Sequence, residues 1–167
     1  MTGRGTPGNP ELAVFEIFKS IQGESTFAGR PCVFVRLAGC NLDCSYCDTR
    51  EARAPGDGRW MTADDIVRKT LAFGVPLVEV TGGEPLLQNG TPGLLEKLCD
   101  AGLTVLLETN GSVDISAVDR RVRVIMDWKC PGSGQAARNH APNLRLLRTG
   151  DEVKFVISSR ADYRWSM

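Results

Sequence analysis

Three cysteines fall within eight residues of this 167-residue sequence, in the segment Cys40-Asn41-Leu42-Asp43-Cys44-Ser45-Tyr46-Cys47. Thiolates are the ligands of iron–sulfur clusters, and the C-x3-C-x2-C spacing lets one short loop wrap around a cluster at a small cost in loop-closure entropy. A four-iron cluster takes four thiolates, so three cysteines leave one iron open to an external ligand. Because an open coordination position is typical of catalytic metal sites, the segment predicts a redox-active cluster with a free iron.

Other readings of this cysteine loop compete with the cluster. A structural zinc site needs a fourth ligand, and the only histidine, His140, lies far along the chain in a polar loop. A redox-active pair would leave the third cysteine unexplained, and chance becomes a weaker explanation as neighbouring motifs accumulate. Cys32, Cys99 and Cys130 lack ligand spacing, and we interpret them as core or loop thiols.

The composition is that of an ordinary globular domain. Twenty basic residues balance twenty acidic ones, and 42% of residues are hydrophobic. This balance gives no support for nucleic acid or a membrane as a partner, and no apolar run approaches the roughly 18 residues that span a bilayer. Clustered cysteines favour a reducing cytosol over a secreted disulfide scaffold. We expect a disordered leader over residues 1–14, which has no signal-peptide pattern, and one domain over residues 15–167.

Strand-like apolar runs alternate with helical patterns along the chain. The predicted strands cover residues 33–37, 77–81, 103–108, 122–127 and 153–157. Helices are predicted over 62–73, with Thr62 as cap and Asp65 three residues on, and over 92–101, with Thr91 as cap and Pro92 first. Gly74 and Gly102 end them, and residues 158–162 begin a third helix. This alternation predicts an α/β fold with parallel strands.

Each unusual motif follows the carboxyl end of a predicted strand. These motifs are the cysteine loop, the turn over residues 81–85, the segment 108–111 and the segment 127–134. In parallel α/β folds the loops at that edge of the sheet converge to form the active site. We therefore expect the four loops to line one cavity.

The cysteine loop, the Asp48-Thr49 pair after it, the Gly-Gly-Glu-Pro turn over residues 82–85 and the Glu-Thr-Asn-Gly segment over 108–111 resemble the radical S-adenosylmethionine (SAM) superfamily. The resemblance implies a partial (β/α)6-type TIM-like barrel with a 4Fe-4S cluster on Cys40, Cys44 and Cys47. In the superfamily, the open iron binds the amino and carboxylate groups of SAM, and an electron from the cluster breaks a C–S bond to give a 5′-deoxyadenosyl radical. It further implies SAM contacts from Gly82, Gly83, Glu84, Asn110, Lys129 and Ser133.

A second group of motifs is more specific. The segments 18–25, 29–31, 34–37, 47–49 and 129–134 resemble the 7-carboxy-7-deazaguanine synthase family, and the similarity extends over residues 16–157. That resemblance implies rearrangement of 6-carboxy-5,6,7,8-tetrahydropterin to 7-carboxy-7-deazaguanine with loss of ammonia, a step towards queuosine. It also implies a homodimer and an electron donor such as flavodoxin or ferredoxin.

The same resemblance suggests how the substrate is held. Contacts are expected from Ile21, Gln22, Gly23, Glu24, Arg36 and Thr81. The guanidinium fork of Arg36 suits a carboxylate, and Thr49 resembles a hydroxyl ligand of Mg²⁺, a cation that prefers hard oxygen ligands. Less favoured alternatives are that Arg36 is a surface residue, Gln22-Gly23 a simple turn, and Thr49 and Lys129 solvated. The role of Asp127, as cofactor ligand or strand cap, stays open.

Family members continue into a final strand and tail that this sequence lacks, so we expect a truncated C-terminus. Two alternatives follow. A glycyl-radical-enzyme activase shares the cluster spacing, and an inactive iron–sulfur protein or electron carrier needs only the cysteines. The Gln22-Gly23-Glu24 turn and Thr49 argue for a small heterocyclic substrate instead.

Overall fold

The computed structural model describes residues 4–6 and 8–167 and contains a sheet of eight strands. In chain order the strands are β1 Arg4–Thr6, β2 Asn9–Ile21, β3 Pro31–Leu37, β4 Arg59–Thr62, β5 Leu77–Gly82, β6 Thr104–Thr109, β7 Arg123–Asp127 and β8 Glu152–Lys154. The α-helices are α1 Ala63–Leu71, α2 Thr91–Asp100 and α3 Arg160–Ser166. No helix among these residues is long and apolar enough to cross a lipid bilayer.

The sheet runs in the order β1-β2-β3-β5-β6-β7-β8, and β4 pairs with β2. From β3 to β8 every neighbouring pair is parallel, whereas β2 pairs antiparallel with β1, β3 and β4. The predicted α/β fold with parallel strands is confirmed, and it is a partial, open barrel. In the described chain, the crossovers β3–β5 and β5–β6 each contain an α-helix. The β6–β7 connection has no helix, and the β7–β8 connection has only 3₁₀ turns.

Both predicted crossover helices form, and they cover the outer face of the sheet. The Thr62 hydroxyl accepts a hydrogen bond from the Asp65 amide at 3.2 Å, as a helix cap does. Helix α2 begins one residue earlier than predicted, so Gly90 is its cap and Thr91 lies inside it. Ile66, Leu94 and Leu98 pack with the outer faces of β3, β5, β6 and β7 in one large core.

The inner face of the sheet has an apolar end and a polar end. Cys32, Leu77, Leu106 and Ile125 form a small buried cluster at the amino ends of the parallel strands. Side chains alternate between the two faces of a strand, so residues two positions further along point to the same interior. Glu79, Glu108 and Asp127 occupy these positions. The interior of the sheet is therefore apolar at the amino ends of the parallel strands and lined by charged side chains at their carboxyl ends.

Side chains bridge the gap between β2 and β8, which lie far apart in the order of the sheet. Glu152 on β8 accepts hydrogen bonds from the amide and hydroxyl of Thr26, at 3.1 and 2.6 Å. Lys154 donates to Glu24 at 2.5 Å. We call this group of contacts the seam. It draws the open sheet towards a barrel without adding backbone ladder bonds.

Two sequence-based boundaries require correction. The disordered leader expected over residues 1–14 is wrong for 4–6 and 9–14, which lie in β1 and β2, and residues 1–3 and 7 lie outside the described part. Leu12, Ala13 and Val14 are buried because β2 pairs with β3 and β4 there. Strand β8 ends at Lys154 rather than at residue 157, since its partner β7 ends opposite it at Asp127.

Candidate active site

A cavity of about 440 Å³ opens at the carboxyl ends of the parallel strands. Each of the four predicted loops contributes to its lining, through Cys40, Gly83, Asn110 and Lys129. The turn after β2 joins them with Gln22, Gly23 and Glu24. The expected convergence of the four loops is therefore confirmed.

The three clustered cysteines all line this cavity, and all six cysteines of the chain are free thiols. Cys40 follows the end of β3, where the Cys40 amide bonds to the Arg53 carbonyl at 2.9 Å and the Gly39 amide bonds to the Ala52 carbonyl at 2.8 Å. Gln135 and Arg53 hold the far side of the loop through Asp43. These contacts fix the loop over the cavity before any ligand binds.

Burial raises the pKa values of both Cys40 and Cys44. The negative charge of Glu84 raises the pKa of Cys40 further, and the negative charge of the Cys40 thiolate does the same for Cys44. The nearby ammonium of Lys129 lowers the pKa of Cys44. The Leu42 amide donates to Cys40 Sγ at 3.4 Å, and Asn110 Nδ2 lies 3.8 Å from the same sulfur. Donors to sulfur favour the thiolate, the form that binds metal.

Among residues 4–6 and 8–167, no three His, Cys, Asp or Glu side chains converge closely enough to hold a single metal ion. A multi-iron cluster makes a different demand, because its cysteines bind different iron atoms. The three thiols that line one cavity wall are the ligand type that such a cluster uses.

Gly82 and Gly83 bring the end of β5 against the cysteine loop. A Cβ added at Gly83 would lie 2.2 Å from the Gly39 oxygen and 2.8 Å from Cys40 Cβ. A Cβ at Gly82, where φ is +150°, would lie 2.1 Å from the Leu37 oxygen. Both glycines line the cavity, but the contact that excludes a side chain is the one with the backbone of Leu37 and Gly39.

Glu84 lies behind the cavity wall and is fully buried. Its carboxylate accepts hydrogen bonds from the amides of Leu86 and Asn110, at 3.0 and 2.7 Å, and from the Thr109 hydroxyl at 2.9 Å. Burial raises the pKa of Glu84 to about 7, against these donors, which lower it. Its observed contacts tie the end of β6, including Asn110, to the turn after β5.

We expect Glu84→Gln to lower the thermal unfolding midpoint. The side-chain amide would place N–H groups against backbone donors that now share a carboxylate, and each unsatisfied buried polar group costs about 1–3 kcal/mol. For a chain of this size that corresponds to roughly 2–10 °C. Calorimetry measures the change, and Glu96→Gln on the exposed side of α2 is the matched control. An unchanged midpoint for Glu84→Gln would contradict this role.

Arg36 and Thr49 lie side by side at the cavity rim. Arg36 Nε donates to Glu16 at 2.8 Å, and Arg36 Nη1 lies 3.5 Å from Thr49 Oγ1. The Thr49 hydroxyl also donates to the Asp48 carboxylate at 2.9 Å. A guanidinium next to hydroxyl and carboxylate oxygens can bind an anionic group together with a hard cation.

Asp127 and Lys129 follow β7 and form a buried ion pair, with 2.8 Å between Lys129 Nζ and Asp127 Oδ2. Burial disfavours the charge on Lys129, but the Asp127 carboxylate outweighs burial, so the pKa of Lys129 is raised. Asp127 Oδ1 is buried and has no hydrogen-bond partner in the described part of the chain. An acceptor in this state at a cavity wall is suited to a donor from a ligand.

A network of charged side chains that we did not predict crosses the cavity floor. Lys154 donates to Glu108, which accepts from the Thr81 hydroxyl at 2.9 Å, and the seam links Lys154 to Glu24. Glu79 accepts from Gln22 Nε2 at 2.5 Å. The sequence carried one signal of this network: Glu79 is a charged residue in the middle of an otherwise apolar strand.

We expect Glu79→Gln to stabilise the protein increasingly as pH rises. Burial, reinforced by the negative charge of Glu108, raises the pKa of Glu79 from 4.5 to about 8. Between these values the unfolded chain has released this proton and the folded chain retains it, so the free energy of unfolding falls as pH increases. At about 1.4 kcal/mol per pKa unit, the variant avoids a cost approaching about 5 kcal/mol at pH 9, or roughly 10–20 °C in midpoint.

Calorimetry at about pH 5, 7 and 9 measures the difference between variant and parent midpoints, across the range in which the Glu79 proton is released. Groups outside this network cancel in that difference. Glu96→Gln serves again as the exposed control. A difference that stays constant with pH would contradict a protonated Glu79 in the folded state.

Of the sequence-predicted site residues, most line the cavity: Gln22, Gly23, Glu24, Arg36, Cys40, Cys44, Cys47, Thr49, Thr81, Gly82, Gly83, Asn110 and Lys129. Three do not. Ile21 is 57% exposed at the end of β2, Glu84 lies behind the wall, and the buried Ser133 hydroxyl donates to the Cys130 carbonyl at 2.6 Å. Tyr46, Glu79, Glu108, Asp127 and Lys154 line the cavity in addition.

Comparison with known proteins shows the family to which the chain is similar. A model of the Radical SAM superfamily matches residues 34–130. The chain is 54% identical over 158 residues to the 7-carboxy-7-deazaguanine synthase of Chlorobaculum tepidum, with 93% of this chain and 71% of the relative covered. It is 45% identical to the protein of that name from Koribacter versatilis, with 93% and 69% covered.

A solved structure shares the fold. The crystal structure of QueE from Escherichia coli matches with a TM-score of 0.68 at 18% sequence identity, and the match covers 93% of this chain and 87% of that chain. At this identity the likeness concerns the arrangement of strands and helices.

Proposed function

Because this chain belongs to the 7-carboxy-7-deazaguanine synthase family of the radical SAM superfamily, we propose that it converts 6-carboxy-5,6,7,8-tetrahydropterin to 7-carboxy-7-deazaguanine with release of ammonia. One observation carries the proposal beyond the family name. The cysteine loop after β3 and the Gln22–Glu24 turn after β2 open onto the same cavity. The cavity therefore combines a segment suited to an iron–sulfur cluster with polar groups suited to a heterocyclic substrate.

The residues fit the cofactors that the superfamily uses. Cys40, Cys44 and Cys47 would hold a 4Fe-4S cluster, and the wall formed by Gly83, Asn110 and Lys129 would hold SAM. When bound, the two supply an electron and a 5′-deoxyadenosyl radical. The unpartnered Asp127 Oδ1 supports a hydrogen bond from the cofactor or substrate at this wall.

The substrate would lie between the Gln22–Glu24 turn and the rim. Arg36 is suited to its carboxylate, since a guanidinium forms paired charge-assisted hydrogen bonds with that group. Thr81 and Glu108 offer a hydroxyl and a carboxylate on the cavity floor, within 2.9 Å of each other. The apolar cluster of Cys32, Leu77, Leu106 and Ile125 forms the buried base of the site.

The test is anaerobic reconstitution with iron and sulfide, followed by incubation with SAM, reductant, Mg²⁺ and the carboxytetrahydropterin. We expect 7-carboxy-7-deazaguanine, and its absence with a fully loaded cluster would exclude the proposed reaction. Formation of 5′-deoxyadenosine separates a SAM-cleaving enzyme from the electron-carrier alternative. Family membership argues against the activase alternative, which acts on a protein partner.

We further propose that Thr49 is a ligand of Mg²⁺ that also holds the substrate. Thr49→Ala is expected to weaken the stimulation of product formation by Mg²⁺ about tenfold, because one hard oxygen ligand is lost. Iron content and visible absorption should stay at the parent level. Equal loss of cluster and stimulation would show that the residue serves the loop rather than the cation. Thr104→Ala, at the exposed start of β6 and outside the cavity lining, is the matched control.

The remaining proposals concern the cellular setting. We place the protein in the cytosol, as a homodimer that receives electrons from a flavodoxin or ferredoxin. Light scattering of the loaded protein tests the dimer, and reduction of the cluster by each purified donor tests the electron supply. A monomer, or a cluster that neither donor reduces, would exclude the respective proposal.

A further inference from the structure

We propose that Glu79 is a positioning residue which, through the side-chain amide of Gln22, holds the Gln22–Glu24 turn in the shape that binds the heterocycle. The inference rests on the proposed function for what the turn binds. The contact itself, between a residue inside β5 and the end of β2, is a property of the fold.

The amide of Gln22 is engaged at both ends. Its Nε2 donates to Glu79 Oε2 at 2.5 Å, and its Oε1 accepts from the Glu24 amide at 3.0 Å. The side chain is buried, while Gly23 and Glu24 beside it are exposed. Because both ends of the Gln22 side-chain amide are hydrogen-bonded within the protein, we call these two contacts the bracket. They fix the turn in which Gly23 and Glu24 are exposed to a ligand.

The loop after β2 closes on the same residue. The Gln22 amide N–H donates to the Arg30 carbonyl, and the Gly29 N–H donates to the Gln22 carbonyl, each at 2.8 Å. Within the loop, Ser25 adopts a positive φ of 62°, which is uncommon for a residue with a side chain. The conformation of residues 22–30 is therefore fixed through Gln22 together with the seam contacts of Glu24 and Thr26.

Glu79 is placed so that this hydrogen bond is its main role. It lies on the inner face of β5. The positive charge of Lys154 lowers the pKa of Glu79, but the ion pairs of Lys154 are with Glu24 and Glu108 instead. A buried carboxyl without an ion pair is costly unless it is protonated or well hydrogen-bonded. Its raised pKa agrees with the first condition, and the short contact with Gln22 agrees with the second.

The experiment compares Glu79→Gln, which keeps an acceptor for Gln22 Nε2, with Glu79→Leu, which has similar volume and no acceptor. In Glu79→Leu we expect hydrogen exchange of amides in residues 22–30 to accelerate about tenfold, as loss of one or two hydrogen bonds implies. The KM for the carboxytetrahydropterin should rise about tenfold with little change in kcat. Glu79→Gln should stay near the parent in both measurements.

Gln22→Leu tests the same bracket from the other side. If Glu79 acts through Gln22, the double variant should be no worse than either single one, which is the signature of coupled residues. Iron content and the visible absorption of the cluster should be unaffected in every variant, because the cysteine wall is untouched. Multiplying effects in the double variant, or a parent-like KM in Glu79→Leu, would overturn the inference.

Failure of the proposed function has a different signature. In that case the parent itself makes no deazaguanine, and the exchange measurement still judges the bracket on its own. Unchanged exchange over residues 22–30 in both Glu79→Leu and Gln22→Leu would overturn the positioning role whatever the reaction is.

Discussion

Replacing Cys47 with alanine is expected to abolish the visible absorption of the reconstituted protein and to remove most of its bound iron. The three cysteines of the loop supply every thiolate ligand that the cavity offers, so loss of one leaves two for a cluster that needs at least three. Cys40→Ala and Cys44→Ala should behave in the same way. Iron and sulfide analysis together with the absorption spectrum measure the effect.

Cys99→Ala provides the control for this series. Cys99 lies on α2, packs against the outer core and is absent from the cavity lining. Its replacement should leave the cluster intact and cost about 1 kcal/mol of stability, the amount expected for a small loss of packing. A full four-iron cluster in any of the three loop variants would remove the basis for radical chemistry in this protein.

The second large effect is expected from Gly83→Ala, which should lower both thermal stability and cluster loading. The added Cβ would lie 2.2 Å from the Gly39 oxygen and 2.8 Å from Cys40 Cβ, and a backbone oxygen cannot rotate away as a flexible side chain does. The turn after β5 must separate from the cysteine loop. Overpacking of this kind costs about 1–3 kcal/mol or more, and it displaces a ligand.

Calorimetry of the metal-free protein and iron content after reconstitution measure the two parts of this prediction. Gly56→Ala is the matched control, because a Cβ at that exposed glycine meets no atom within 4 Å. If Gly83→Ala retains the parent's midpoint and iron content, then the close approach of β5 to the cysteine loop is not required.

The sequence predicted the parallel part of this fold well, because local signals and burial agree there. Strands β3, β5, β6 and β7 are short apolar runs, and Thr62 and Gly74 bound α1. Strand β2 carries no such signal. Its buried residues Leu12, Ala13 and Val14 are consecutive and show no alternation, because Leu12 and Val14 pack in the large core and the Gln88 side chain bonds to the backbone of Ala13 between them.

Site residues that belong to one continuous motif could be predicted from the sequence. Site residues that come together only from distant strands could not. The cysteine loop and the Gly-Gly turn are continuous segments, so their placement at one cavity followed from strand order. The partners of Lys154 come from β6 and from the turn after β2, and only the folded chain brings these carboxylates together. The three donors that hold Glu84 behind the cavity wall likewise come from separate segments, so its buried setting was not readable from the motif.

The wall of the cavity is unequal in strength around its circumference. From β3 to β7 it is a backbone ladder, whereas between β2 and β8 it consists of the side-chain bonds of the seam. Exposed charged contacts of that kind contribute about 0–1 kcal/mol each and weaken in salt. Heat or high ionic strength therefore separates the strands first at the seam. The cysteine loop follows β3 in the backbone ladder, so it stays in position when the seam opens.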